Sequence, residues 1–264
     1  MSLTITILGC GSSSGVPRVG QGWGDCDPSN SRNRRRRCSI LVERRSAHGV
    51  TTVLVDTSPD LREQLLDADV AHLDAVLFTH AHADHTHGID DLRPLFLMHG
   101  KRIDAYADDL TLDALKNRFG YCFETPAGSS YPPILNAHTF NEKSEIVIEG
   151  AGGIVTARPF LQHHGDVDSF GFRFDDIAYS SDVNGLPDEA MERLAGLDVW
   201  IVDALRDRPH PSHFCLQDAL HHIDLCKPRR SILTNLHTDM DYEALRARLP
   251  DGIEPAFDGM KLTT

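Results

Sequence analysis

The sequence lacks any apolar run near the roughly 18 residues that a membrane-spanning helix requires. Its first stretch, MSLTITILGCGSSSG, also lacks the basic segment that precedes the apolar part of a secretory signal peptide. The six cysteines are scattered and form no CxxC pair, which argues against a disulfide framework and predicts reduced thiols. We therefore expect a cytoplasmic protein with no membrane segment.

The sequence also lacks an excess of basic residues: 26 Lys and Arg stand against 39 Asp and Glu, a net charge of −13. That charge argues against general nucleic-acid binding or binding to anionic membrane surfaces. One local exception is SRNRRRRCS, with arginines at positions 32, 34, 35, 36 and 37. We expect most of them to pair with surface carboxylates. The alternative is that one or two, among Arg34 to Arg37, reach an anionic substrate through paired hydrogen bonds.

What remains is an ordinary globular composition, 41% hydrophobic and 25% charged. Segments rich in Val, Ile, Phe and Thr predict strands at 3–8, 39–43, 51–56, 74–79, 102–106, 145–149, 153–160, 169–174, 176–180, 198–203 and 230–234. Helical spacing alternates with them, and the first helix is predicted over 59–68, with Ser58 as N-cap and Pro59 in its first turn. The pattern predicts one domain, 1–264, with two packed sheets and outer helices, and leaves α/β and α+β classes open.

Potential metal ligands are densest in THAHADHTHG, directly after the apolar strand segment DAVLFT. Because side chains two residues apart in an extended chain point the same way, His80 and His82 can share one metal. The chain must then turn into a helix predicted to begin near Thr86, so Asp84 and His85 face another direction and suit a second metal. His87 points away from this turn, and we expect it to have a supporting or structural role.

A two-metal site needs further ligands, and candidates follow later predicted strands. They are His163 or His164, Asp182 and His237. Asp182 lies just past a strand, where its carboxylate could bridge two metals. Each of these residues alone is typical of a core histidine or a turn aspartate. Recurring at strand ends after HxHxDH, they form a set.

This order of motifs resembles the metallo-β-lactamase superfamily over nearly the whole chain. The resemblance implies an α+β fold, a four-layer αββα sandwich of two mixed sheets, with metals at one edge. ILGCGSSSGVP, the arginine-rich segment before CSILVE, HGDVDSFGFRF, YSSDV and HPSH are further similar to the cyclic-phosphate phosphodiesterases of phosphonate breakdown. Those enzymes often carry a structural zinc as well. This chain offers only Cys26 there, and Met240 where a histidine would help, so we expect that zinc to be absent.

The resemblance also implies two divalent metal ions per chain, Zn or Mn, with Fe as a further candidate, since His and Asp ligation suits all three. One ion would be held by His80, His82, His164 and Asp182, and the other by Asp84, His85, Asp182 and His237. His164 is preferred to His163 because the ligand of the family precedes the small residue and the GF strand. A homodimer is implied in the same way.

The implied mechanism is attack of a metal-bridging hydroxide on a phosphodiester. Asp84 would orient that hydroxide, and His213 would protonate the leaving oxygen, with His210 as the local competitor. Asp56 and Asp203 end strands, where they could orient ligand imidazoles or simply cap turns. The GCGSSSG loop could cradle a phosphate with its backbone N–H groups.

The predicted function is therefore hydrolysis of a small phosphorylated substrate, a cyclic phosphate or nucleotide-like phosphodiester. Three alternatives stay open. A lactone or thioester hydrolase of the same fold is one. An RNA 3′-processing endonuclease is disfavoured by the acidic charge and by the lack of an inserted basic arm. A catalytically silent metal- or nucleotide-binding protein is disfavoured by the full ligand set and His213.

Overall fold

The computed structural model describes residues 2–263, which contain fourteen strands in two sheets. The strands are β1 (Ser2–Gly9), β2 (Ser39–Ser46), β3 (Gly49–Val55), β4 (Ala75–Leu77), β5 (Ile103–Ala107), β6 (Leu135–Thr139), β7 (Ile146–Ile148), β8 (Val155–His164), β9 (Val167–Phe174), β10 (Ile177–Ser180), β11 (Val199–Asp203), β12 (Arg230–Thr234), β13 (Ile253–Pro255) and β14 (Lys261–Thr263). The first sheet has the order β14-β1-β2-β3-β4-β5-β6, and the second has the order β13-β12-β11-β10-β9-β8-β7.

Seven α-helices connect the strands of the described chain. They are α1 (Leu61–Asp67), α2 (Ala83–Thr86), α3 (Arg93–His99), α4 (Asp109–Phe119), α5 (Asp188–Arg193), α6 (Leu216–Cys226) and α7 (Tyr242–Arg246). None of the helices within residues 2–263 is long and apolar enough to cross a membrane.

Alternation along the strands creates the layers. In β3, Val53 and Val55 join the core between the sheets, where Phe172 and Ile201 of the second sheet also lie. Leu54, between those valines, packs instead with the buried residues of α1, α3 and α4. A third apolar cluster joins β10, β11 and β12 to α5, α6 and α7. The result is helices, sheet, sheet and helices, so the predicted four-layer αββα sandwich is confirmed.

Both sheets are mixed. The first is antiparallel from β14 to β3 and parallel from β3 to β6. The second is antiparallel from β7 to β10 and parallel from β10 to β13. The carboxyl ends of parallel strands meet at one edge of a sheet, and in α/β proteins this edge carries the site. The residues that follow β3, β4, β10, β11 and β12 therefore lie at this edge.

The first helix begins two residues later than the predicted 59–68. Asp60 is its N-cap and Leu61 its first residue. Ser58 does not cap the helix in the predicted way, because its hydroxyl donates to Gln64 Oε1 at 2.8 Å while accepting from the Asp60 amide at 3.1 Å. Pro59 consequently lies in the turn before α1 rather than in its first turn.

Candidate metal centre

The residues that follow the parallel strands adopt unusual backbone conformations. Asp56, Asp182 and Asn235 have φ values of 64°, 49° and 61°. This left-handed region is uncommon for residues other than glycine, and Asp and Asn tolerate it best. Conformations of this kind concentrate at functional sites, because surrounding contacts must hold them in place. Three of the six non-glycine residues with positive φ in the described chain thus lie at the edge predicted from the topology.

A first group of four side chains converges there: His80, His82, His164 and Asp182, whose donor atoms all lie within 4.8 Å of one another. Nδ1 of His82 is 2.9 Å from Nε2 of His80 and 3.3 Å from Nε2 of His164. Oδ2 of Asp182 is 3.5 Å from the His164 nitrogen and 3.8 Å from the His80 nitrogen. Bonds of about 2.0–2.1 Å to a tetrahedral ion would give edges of about 3.4 Å, so these spacings fit one cation.

The tautomers of this group favour a cation as well. Nδ1 of His164 lies 2.6 Å from the carbonyl oxygen of Ser212, which can only accept a hydrogen bond. The proton therefore sits on Nδ1, and Nε2 turns a lone pair towards the group. Burial lowers the pKa of His80 well below its usual range, so the His80 imidazole is neutral. Ring nitrogens that converge at these distances suit a cation between them.

A second group contains Asp84, His85 and Asp182. Nε2 of His85 is buried without a hydrogen-bond partner and lies 3.4 Å from Asp84 Oδ2 and 3.3 Å from Asp182 Oδ1. Burial lowers the pKa of His85, but the surrounding carboxylates outweigh burial and raise it well above its usual value. A buried nitrogen flanked by carboxylates fits a second cation. Asp182 gives one oxygen to each group, as a bridging ligand would.

Asp56 holds His85 in this orientation. Its Oδ2 lies 2.7 Å from Nδ1 of His85, which leaves Nε2 for the second group. Thr79 fixes the carboxylate in turn, donating its amide to Oδ1 and its hydroxyl to Oδ2, each at 2.8 Å. Burial raises the pKa of Asp56, while His85 opposes that rise. Asp56 therefore orients the His85 imidazole and does not simply cap a turn.

The helix expected near Thr86 starts earlier. It is α2, a single turn that begins at Ala83, and it therefore carries Asp84 and His85 itself. His87 is its C-cap rather than a residue inside it. The exposed ring of His87 packs edge-on against Phe119, with centroids 5.5 Å apart, outside both groups.

The structure also separates His163 from His164, the last two residues of β8. Consecutive strand residues point to opposite faces. His164 is 3% exposed and joins the first group, whereas the His163 ring turns outwards and lies 2.9 Å from Asp168 Oδ1. His237 belongs to neither group of converging donors, and its Nδ1 lies 3.0 Å from Asp239 Oδ1.

His213 and His237 line a cavity of about 300 Å³ beside the two groups. The His213 ring lies 4.7 Å from that of His164, and its Nδ1 is 2.7 Å from the buried Oδ2 of Asp203. Burial lowers the pKa of His213, but Asp203 outweighs it and raises the value to about 9. The neighbouring His210 ring, 5.0 Å away, receives a weak hydrogen bond from the Ser212 amide at 3.3 Å.

The arginine-rich segment serves mainly the fold. Arg36 bonds to Asp67 and Asp258, and Arg37 pairs with Asp60. Arg35 is 2% exposed and donates to the carbonyl oxygens of Met240 and His237.

Two other arginines, Arg18 and Arg206, line the cavity of His213 and His237. Neither belongs to a motif, and no pattern in the sequence marks them as site residues. Burial is the largest cause that lowers the pKa of His237. The positive charge of Arg18 lowers it further, and that of Arg206 adds to this effect.

Two mixed sheets between helix layers, with a histidine and aspartate cluster at the carboxyl edge, define a metallo-β-lactamase fold. Residues 51–235 match the β-lactamase superfamily domain, and the chain belongs to that superfamily. The predicted resemblance is thereby confirmed, and the chain is a metal-dependent hydrolase.

Three relatives are similar to this chain over 97–100% of its length. The chain is 36% identical to a diphosphatase from the PhnP family, with a TM-score of 0.89 over 100% of this chain and 98% of that one. Zn²⁺-bound PqqB from Methylobacterium extorquens shares the fold at 19% identity, with a TM-score of 0.73 over 98% of this chain and 99% of that one. An octanoyltransferase from Porphyromonas gingivalis is 31% identical over 97% of this chain. The chain spans 50% of that relative.

Proposed function

We propose that the chain is a phosphodiesterase that uses two divalent ions, Zn or Mn, with Fe as a further candidate, to hydrolyse small cyclic phosphates or nucleotide-like phosphodiesters. The observation that carries the proposal is the division of Asp182 between two groups of donors, one oxygen to each. Phosphorus is favoured over carbon as the reacting centre by the 36% identity to a diphosphatase.

The residues divide into holding and reacting roles. His80, His82, His164 and Asp182 would hold one ion, and Asp84, His85, Asp182 and His237 the other. Bound ions would supply Lewis-acid activation of a water and of the phosphoryl group. His237 keeps its place as a proposed ligand because Asp239 takes up Nδ1 and leaves Nε2 free.

Proton transfer falls to the protein. Asp84 would accept a hydrogen bond from the attacking water and fix its direction. His213 would give a proton to the leaving oxygen. Asp203 holds Nδ1 of His213, so the Nε2 nitrogen is the one available to the substrate. The position of His213 between the His164 ring and the cavity suits this role.

The proposal also includes a cellular compartment and a type of substrate. All six cysteines are free thiols, which suits the reducing cytoplasm. The substrate is small and anionic, and the net charge of −13 disfavours long nucleic acids. A single hydrolase domain over 1–264 and a homodimer remain predictions.

A substrate comparison tests the proposal. The purified chain, loaded with Mn²⁺ or Zn²⁺, is assayed with bis(p-nitrophenyl) phosphate, an acyl p-nitrophenyl ester and a lactone. We expect turnover of the phosphodiester to exceed that of the other two. Lactone turnover without phosphodiester turnover in either metal would overturn the assignment.

A second candidate is hydrolysis at an acyl carbon, of a thioester or lactone. The observation that favours it is the 31% identity to half of a chain named octanoyltransferase, because that name denotes transfer of an acyl group. The chain covers only 50% of that relative, so the transferase activity can belong to the other half. The ester and lactone arms of the same assay decide between the candidates.

A further inference from the structure

One buried amide contacts two parts of the proposed active site. Asn235 directly follows β12 and is 2% exposed. Its Nδ2 donates to Oδ1 of Asp182 at 3.1 Å and lies 3.1 Å from Nδ1 of His213. Asp203 holds the same His213 nitrogen at 2.7 Å. The Asn235 side chain therefore lies between the proposed bridging carboxylate and the proposed proton donor.

The backbone around Asn235 is fixed on both sides. The carbonyl oxygen of Thr234 accepts a hydrogen bond from the Ala204 amide at 3.1 Å. The amide of Leu236 donates to the carbonyl oxygen of Cys10 at 2.8 Å. Asn235 itself has a φ of 61°, in the left-handed region that most residues avoid. Such a conformation persists because the surrounding contacts hold it in place.

Asparagine meets two separate requirements at this position. The left-handed backbone favours Gly, Asn and Asp over other residues. Oδ1 of Asp182 needs a hydrogen-bond donor, which Gly lacks and an ionised Asp cannot supply. An Asp would also place a third carboxylate beside Asp182 and Asp203, which are only 3% and 0% exposed. The amide of Asn235 satisfies the backbone and the carboxylate together.

The hydrogen bond from Asn235 determines how Asp182 presents its two oxygens. Oδ1, which accepts this bond, is the oxygen that lies 3.3 Å from Nε2 of His85 in the second group. Oδ2 lies 3.5 Å from Nε2 of His164 in the first group. The bond opposes rotation of the carboxylate, so it fixes which oxygen the second group receives. Supports of this kind change metal affinity by about 10–100-fold.

We propose that Asn235 is a positioning residue, whose amide directs Oδ1 of Asp182 towards the ion of the second group and holds His213 in place beside it. This inference rests on the proposed function and deepens it, because it names a side chain that links metal binding to proton transfer. Asn235 acts through Asp182 and His213, and not on the substrate itself.

Removal of the amide without backbone strain tests the effect on metal binding. Asn235→Gly keeps the left-handed conformation, whereas Asn235→Ala removes the same amide and adds strain. Lys227→Gly is the control, because Lys227 is an exposed C-cap with a φ of 49°. Competition with a chromophoric chelator measures the two dissociation constants for Mn²⁺ on the full chain, and urea unfolding of the metal-free chain measures stability.

In both Asn235 variants we expect one dissociation constant for Mn²⁺ to rise by about 10–100-fold and the other to stay within about twofold. Both constants should be unchanged in Lys227→Gly. The urea midpoint should fall further in Asn235→Ala than in Asn235→Gly, since only Ala is strained. Unchanged constants in Asn235→Gly would overturn the inference. Equal weakening of both ions would also overturn it, because a merely structural role affects both sites alike.

Kinetics tests the link to His213. Asn235→Gly should lower kcat for bis(p-nitrophenyl) phosphate at saturating Mn²⁺ and leave KM little changed, because other residues line the cavity beside the metal centre. If the amide holds His213, the variant that combines Asn235→Gly with His213→Ala should be at most about threefold slower than His213→Ala alone. Full multiplication of the two effects would overturn the link. Absence of phosphodiester turnover in the wild type would instead overturn the proposed function, and the chelator competition would still decide the role of Asn235 in metal binding.

Discussion

Oδ2 of Asp203 lies 2.7 Å from Nδ1 of His213, with the carboxylate fully buried and the ring facing the cavity beside the metal centre. The Val183 amide donates a second hydrogen bond to Asp203 Oδ2 at 3.1 Å. The pair fixes which nitrogen of His213 faces the substrate. It also separates the proposed proton donor from the proposed metal ligands, and the two roles can be tested independently.

Replacing His213 by Ala should lower kcat for bis(p-nitrophenyl) phosphate by about 10²–10⁴-fold, the usual range for loss of a general acid. Metal content, measured by plasma mass spectrometry, should stay at two ions per chain. Asp203→Asn should lower kcat by about 10–100-fold, because the ring loses its anchor. His221→Ala, an exposed histidine on α6, is the matched control. Loss of metal in His213→Ala would mean that His213 is a ligand.

The two adjacent histidines at the end of β8 give a sharp test of ligation. His164→Ala should lose bound metal and most activity, because its Nε2 turns into the first group. His163→Ala should keep two ions per chain, since its ring faces outwards towards Asp168. Metal content and kcat are measured on both variants in parallel. Equal metal loss in the two would contradict the ligand set.

Asp56→Asn should weaken binding of the ion in the second group and leave binding of the ion in the first group unchanged. The carboxylate contacts His85 but none of the imidazoles of the first group, and loss of such a support costs about 10–100-fold in metal affinity. A competition titration with a chromophoric chelator measures both sites. We expect one unchanged and one weakened dissociation constant. Equal weakening of both sites would assign Asp56 a merely structural role.

Much of the candidate site could be predicted from local sequence because its candidate ligands follow apolar strands. HxHxDH lies after β4, and Asp182 and His237 lie after β10 and β12, so one edge collects them. Other features depend on partners far away in the chain. The three residues of β14 pair with β1, some 250 positions earlier, and carry no local strand pattern. The start of α1 depended on a side-chain contact of Ser58 with Gln64.

The two arginines of the cavity could not be predicted from local sequence either. Arg18 and Arg206 stand in unrelated loops, and only the fold brings both beside His213. The segment NRRRRC attracted attention as the basic part of the chain. Its buried member, Arg35, instead ties the loop after β12 to the N-terminal half through carbonyl oxygens. Local charge density therefore drew attention to one basic segment and not to the two arginines that line the cavity.

Asp258 should impose a pH dependence on stability. Burial raises its pKa to about 6 from 3.8, although Arg36 lies 3.2 Å away. Between these values the folded chain binds more protons than the unfolded chain. The contribution is therefore fully present below pH 3.8 and is lost as pH rises through 6, by about 3 kcal/mol in the free energy of unfolding.

Urea unfolding at several pH values between 4 and 7 measures this slope. Asp258→Asn removes the titrating group, so the difference in free energy between wild type and variant isolates its contribution from that of the other carboxyls. The difference should change with pH in the stated direction. A difference that is constant from pH 4 to 7 would show that Asp258 has the same pKa in both states.

In the proposed function, two ions act together on a phosphodiester. The most direct measurement begins with the chain after a chelator has removed its metal. Mn²⁺ or Zn²⁺ is then added stepwise, and hydrolysis of bis(p-nitrophenyl) phosphate and the amount of bound metal are measured in the same samples. Because Asp182 contributes one oxygen to each group, we expect activity to rise to a plateau at two ions per chain. A plateau at one ion, or no phosphodiester turnover at two, would contradict it.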